Sequence, residues 1–294
     1  MGETLAVSFY KPKGEPKAVV EIVHGMAEHR KRYADFAKYL MNRGFAVYTY
    51  DLPGHGETAG DGTLGYFGEA NGWTHLVNSA YEVAQTAKAE YPDKPFILLG
   101  HSMGSMIARC FMQTHDDMLD ALVLSGAPCY QSAAPVGIGI GKALKKVKGA
   151  KGYSKVMDFL LTGTFAASIK NSRTPFDWIS VNKENVDRYI ADPLCGFPFT
   201  IQGYIDELQG VCDMHNVSKY HCTKPDLPVL FAAGEYDPCT GGTKGLADSA
   251  DTLRAAGYSH IDARLFEGMR HEILNECDRE KVFAAIAEWI ETQL

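Results

Sequence analysis

Phe96-Ile97-Leu98-Leu99-Gly100-His101-Ser102-Met103-Gly104 is the stretch on which the reading of this chain turns. Four consecutive apolar residues suit a strand buried on both faces. Gly-x-Ser-x-Gly follows at once, and Met103 to Thr114 then carries a helical pattern. The expected unit is a strand, a glycine-bounded turn and a helix, with glycines because neighbouring backbone crowds so tight a turn. Such a turn lifts Ser102 above the strand end, at the N-terminus of the helix. Backbone N–H groups there can meet a developing anion.

The same rhythm extends to both sides. Lys17 to Val23, Phe45 to Tyr50 and Leu119 to Leu124 read as further strands, with helices expected over Tyr33 to Asn42 and Trp73 to Glu90. The pattern breaks from about Pro128 to Pro225, where the chain turns helical and irregular, with a Gly/Lys-rich stretch and a cluster of Phe, Trp and Pro. It resumes with a strand at Pro228 to Ala233, a helix near Lys244 to Ala256, a strand at Ile261 to Phe266 and a helix at Asp278 to Gln293. Alternation of this kind implies an α/β fold: a mostly parallel central sheet flanked by helices, interrupted by an inserted helical cap. The expected boundaries are 1–128 and 226–294 for the core and 129–225 for the cap.

Bulk properties narrow the function classes. The chain has 294 residues, 22% of them charged, with a formal net charge of −7. The acidic balance gives no footprint for nucleic acid. The seven cysteines are odd in number and show no C-x-x-C pair, so reduced thiols and a cytoplasmic location are expected. No signal peptide is expected at Met1-Gly2-Glu3-Thr4-Leu5, and no run reaches the ~18 apolar residues of a membrane span. Gly2 stands where a myristoyl group is attached in some proteins, but the residues after it match that motif poorly.

A serine hydroxyl is a weak nucleophile and needs a base, which in turn needs an acid to orient it. His271 follows the last strand, on a loop that reaches the carboxyl edge of the sheet. His24, His55 and His101 lie at the same edge and are rivals, whereas His260 falls at the opposite one. Asp237 follows the Val229 to Ala233 strand directly and precedes the histidine in the order Ser, Asp, His; Glu235 is its local rival. The oxyanion donors are expected to be the backbone N–H groups of Met26 and Met103. Cys212, His215, His221 and Cys222 fit no zinc spacing, so neither a metal nor another cofactor is expected.

His24-Gly25-Met26-Ala27-Glu28-His29 with Arg32-Tyr33, Asp51-Leu52-Pro53-Gly54-His55-Gly56, the Ser102 pentapeptide and Met269-Arg270-His271-Glu272-Ile273-Leu274 together resemble the monoacylglycerol lipase and lysophospholipase branch of the α/β-hydrolases. The motifs span the whole core. The resemblance implies a triad of Ser102, Asp237 and His271, and an acyl ester of a small polar alcohol as substrate. It also suggests head-group contacts from Glu28, His29 and Arg32, for which bracing of the oxyanion loop is the alternative role. Two positions depart from the pattern. Thr58 replaces a serine, and Leu274 stands where some monoacylglycerol lipases place a second histidine that meets the glycerol hydroxyls. Cap aromatics, Phe159 and Trp178 among them, are candidates for an apolar acyl pocket. Ile138 to Lys148 mixes apolar residues with lysines and suits transient contact with a lipid surface, or a solvated cap helix. Two other functions stay open. A proline-type aminopeptidase would use Glu28, Asp206 or Glu207 for the substrate amine, and a non-catalytic ligand-binding homologue would be expected to lack a triad member.

Overall fold

The computed structural model describes residues 4–294, so Gly2 lies outside the described residues. Among these, seven strands form one sheet: β1 (Val7–Tyr10), β2 (Ala18–Val23), β3 (Phe45–Tyr50), β4 (Phe96–His101), β5 (Ala121–Ser125), β6 (Val229–Gly234) and β7 (Ile261–Phe266). Their order is β1-β3-β2-β4-β5-β6-β7. β1 runs antiparallel to β3, and every other pair is parallel.

Between the strands run α1 (Ala34–Asn42), α2 (Gly72–Glu90) and α3 (Met103–His115). After β5 come α4 (Ala134–Lys148), α5 (Lys155–Asp158), α6 (Thr164–Ser168), α7 (Lys183–Ala191) and α8 (Ile201–His215). The chain closes with α9 (Gly242–Ala255) and α10 (Arg279–Glu291). β4 shows how the layers arise. Side chains alternate across a strand, so Ile97 and Leu99 pack with Phe36, Leu40, Phe283 and Ile286 of α1 and α10. Phe96 and Leu98 pack on the opposite face with Leu76, Ala80, Ile107 and Phe111 of α2 and α3. Both faces of the strand are therefore apolar.

α1 leaves β2 toward one face and α3 leaves β4 toward the other, although β2 and β4 are neighbours. Connections that diverge in this way open a crevice at the carboxyl ends of the two strands, where ligands bind in open α/β sheets. The loop at Gly25 and the turn at Ser102 both lie there.

All five helices between β5 and β6 fall within the stretch where the strand pattern lapses. α8 packs on α2, α3 and α4, and its Tyr204, Leu208, Val211 and Met214 join the core cluster of the sheet. The glycines of α4 have a packing role. A Cβ on Gly137 would meet Leu208 Cδ1 at 2.9 Å, and one on Gly141 would meet Ile205 Cγ1 at 2.6 Å. Gly137 and Gly141, one turn apart, thus let α4 sit close on α8.

Candidate active site

The Ser102 turn is strained and tightly enclosed. Ser102 has φ 53° and ψ −121°, a conformation that costs about 1–3 kcal/mol for a residue bearing a side chain. A Cβ on Gly100 would lie 2.2 Å from the Gly104 carbonyl oxygen, and one on Gly104 would lie 2.2 Å from the Val23 oxygen. Both glycines are thus required by backbone contact, and the second seats α3 against the end of β2. The Ser102 N–H donates to the Ser125 carbonyl at 2.9 Å, which fixes the turn to β5.

His271 and Asp237 meet across the ends of two different connections. His271 Nδ1 lies 2.9 Å from Asp237 Oδ2, with both side chains buried. The other carboxylate oxygen of Asp237 accepts the Cys239 N–H at 2.8 Å. The aspartate is therefore held at both oxygens, which fixes the imidazole ring plane. Burial alone would lower the His271 pKa, but the Asp237 carboxylate and its hydrogen bond outweigh it, so the net shift is upward. Gly126, at φ +54°, leaves no room for a side chain: a Cβ there would stand 3.0 Å from His271 Nδ1. Glu235, the rival acid, is exposed and accepts the Gly268 N–H.

The rival histidines have other work. His24 Nε2 accepts the Leu52 N–H at 2.9 Å, and His55 Nε2 accepts the Ala27 N–H at 3.3 Å. His101 Nδ1 bonds Ser125 Oγ at 3.2 Å. Burial pushes His55 down to about 3 and His101 down to about 4, so both stay neutral at physiological pH.

The loop after β2 is braced on both sides of Met26. The Gly25 N–H donates to Glu28 Oε1 at 2.6 Å, and the Ala27 N–H is taken by His55. Among the described residues the N–H groups of Met26 and Met103 have no acceptor. Glu28 also accepts from Tyr33 Oη and from Arg32 Nη1, each at 2.6 Å. Arg32 continues to Glu272 through two 2.6 Å bonds, and Asn185 Nδ2 donates to Glu272 as well. Burial opposes ionisation of Glu28, but Arg32 and its other neighbours hold the carboxyl down at about 2. The lone pairs of Glu28 and the donors of Arg32 are thus committed within the protein, which favours the bracing role over head-group contact. His29 turns away as well, with Nε2 3.0 Å from Asp192 Oδ2.

A cavity of about 930 Å³ joins these parts, lined by Met26, Glu28, Ser102, Trp178 and His271. The Trp178 ring centroid lies 5.0 Å from that of His271. Arg32 and His29 instead border a separate polar depression. Phe159 is 60% exposed and does not line the cavity. It lies in a one-turn π-helix (Phe159–Gly163) that directs its ring outward, so the pocket expectation fails there while Phe165 and Phe176 do line the cavity.

The sequence reading missed Asn185, Tyr189 and Glu276. Tyr189 Oη donates to the Ala27 carbonyl at 3.0 Å, joining α7 to the loop after β2. Glu276 accepts from the Arg270 N–H, the Val181 N–H and Ser180 Oγ, tying the His271 loop to the insertion. Among the described residues two clusters have metal-ligand spacing, His29-Asp192-Cys195 and Asp237-Cys239-His271. In both, the histidine is already bonded to the aspartate.

Sheet order, strained serine turn and the histidine–aspartate pair at one crevice define the class: an α/β-hydrolase, a serine hydrolase of the lipase and esterase type. More narrowly, the chain belongs to the Hydrolase_4 family, whose model, described as "Serine aminopeptidase, S33", matches residues 14–278. It is 26% identical to human monoglyceride lipase, over 98% of this chain and 87% of that one. It is 27% identical to phospholipase YtpA of Bacillus subtilis, over 92% and 93%. A thermostable carboxyl esterase from Bacillus coagulans, solved in complex with glycerol, superposes with a TM-score of 0.89 at 28% identity, covering 98% of this chain and 94% of that one.

Proposed function

We propose that the protein hydrolyses carboxylic esters of medium or long acyl chains on small polar alcohols, of monoacylglycerol or lysophospholipid type, through an acyl-enzyme on Ser102. The observation that carries this reading is the shared cavity. It contains a serine on a strained elbow and a histidine oriented by a buried aspartate, inside a mainly apolar wall. Ser102 Oγ attacks the ester carbonyl while His271 Nε2 takes its proton. The anionic oxygen rests on the Met26 and Met103 N–H groups, His271 then protonates the leaving alcohol, and water repeats the cycle. The names of the relatives support the choice of substrate. In this reading residues 129–225 act as the cap, and the exposed Val136, Ile140 and Val147 of the lysine-bearing α4 provide its transient lipid contact.

Purified protein is expected to release p-nitrophenol from acyl esters and to be labelled by a fluorophosphonate at Ser102. Full turnover in Ser102→Ala would end the proposal. The family model's description favours one competing reading, aminopeptidase activity. Faster turnover of an aminoacyl-naphthylamide than of any acyl ester would establish it instead.

A further inference from the structure

Buried carboxyls around the site are answered by donors from the protein. Glu28, Asp51, Glu272 and Glu276 each accept several hydrogen bonds. Glu207 breaks the pattern. It lies on α8, is 6% exposed, and its Oε2 has no partner among the described residues. It also lines the same cavity as Ser102, one helical turn from Val211. The neighbouring Asp206 also leaves one oxygen, Oδ2, without a partner, but its Oδ1 accepts from Gln202 Nε2 at 2.9 Å and the residue does not line the cavity. The other unpartnered buried glutamate, Glu21, lies within β2 beside Tyr50 and lines no cavity. Among the described residues, Glu207 alone both has an unpartnered buried side-chain oxygen and lines the cavity.

Leaving a buried polar group unpaired is costly, so a ligand that completes it gains selectively. We propose that Glu207 is a specificity residue of the acyl pocket, where it recognises acyl chains bearing a neutral oxygen substituent, a hydroxyl above all. This inference rests on the ester-hydrolase reading for the orientation of the acyl chain. A hydroxyl matches the group because a carboxylic acid can donate to it and accept from it. An ammonium matches less well. It carries three N–H donors, more than one carboxylic acid can answer. Burial pushes the Glu207 carboxyl up to about 8, consistent with a neutral acid at pH 7.

The test compares p-nitrophenyl decanoate with p-nitrophenyl hydroxydecanoates bearing the hydroxyl at successive carbons. For the best-placed hydroxyl, the ratio of kcat/KM values, hydroxylated over plain, is expected to fall about tenfold or more in Glu207→Leu. Glu207→Gln keeps a donor and an acceptor and is expected to hold the ratio within about threefold. Calorimetric binding of ethyl decanoate and ethyl hydroxydecanoates to Ser102→Ala protein, with and without Glu207→Leu, repeats the comparison without turnover. Loss of ester hydrolysis alone would therefore sink the previous proposal and leave this one measurable. A ratio that is equal in wild type and Glu207→Leu at every hydroxyl position, by kinetics and by binding, overturns it. So does a Glu207-dependent preference for amine-bearing acyl groups.

Discussion

At the scale of the residue, the site depends on one histidine being kept more basic than its neighbours. His24, His55 and His101 all have lowered pKa values, while His271 has a raised one, and the difference is the Asp237 carboxylate. A general base works only when unprotonated. The acid limb of kcat/KM for a neutral ester is therefore expected to have its midpoint above 6.5, the ordinary histidine value. A midpoint below 6.5 would show that the base is another group. Asp237→Asn is expected to lower kcat by about 10²- to 10⁴-fold at neutral pH, because the tautomer is no longer fixed. Stopped-flow or steady-state assay of that variant checks it. Ser102, Asp237 and His271 were legible in the sequence because each lies within a few residues past the carboxyl end of a strand, β4, β6 and β7 respectively. Glu276 was not legible: its partners Ser180 and Val181 are brought to it only by the fold.

At the scale of the element, the loop after β2 that carries Met26 is the clearest case of a segment shaped from outside itself. Arg32 answers two buried carboxylates, Glu28 and Glu272, which are 240 positions apart from Arg32 in the second case. Arg32→Ala leaves both charges without their cation. It is expected to cost about 3–5 kcal/mol, or roughly 10 °C in Tm, measured by calorimetry. A fall of less than 2 °C in that variant, as an order-of-magnitude threshold, would mean that Tyr33 and Asn185 suffice. The strand and helix assignments from sequence hold wherever a run is wholly buried, because burial on both faces leaves an unbroken apolar signature. β1 is short, lies at an edge and is only half-buried, so its four residues carried no such signature. The helix read over Ile138 to Lys148 is found as α4, whose glycines lower its propensity while Gly137 and Gly141 admit α8.

At the scale of the whole molecule, two glutamates couple stability to pH with opposite signs. Glu28 is held at about 2 in the folded state. Its contribution is present above its ordinary value of 4.5 and is lost as pH falls toward 2. Glu207 is raised to about 8. Its contribution is greatest below 4.5 and is lost as pH rises through 8, because the folded form then has to release a proton from a buried site. The Tm advantage of Glu207→Gln over wild type should therefore widen between pH 5 and 8 by roughly 5 °C and level off above. A constant difference across that range would show that the carboxyl is ionised throughout. The fold class was readable from alternation alone, but this balance was not, since nothing in the local sequence of α8 distinguishes Asp206, which turns away from the cavity, from Glu207, which lines it. The Glu276 junction has a mechanical consequence. It stitches the 180–182 segment to the histidine loop, whereas the stretch around Phe159 leans on its surroundings through fewer polar ties. The roof over the cavity is thus anchored along one eave, and amide exchange should be slow at Val181 and Asn182 while the Phe159 side exchanges first.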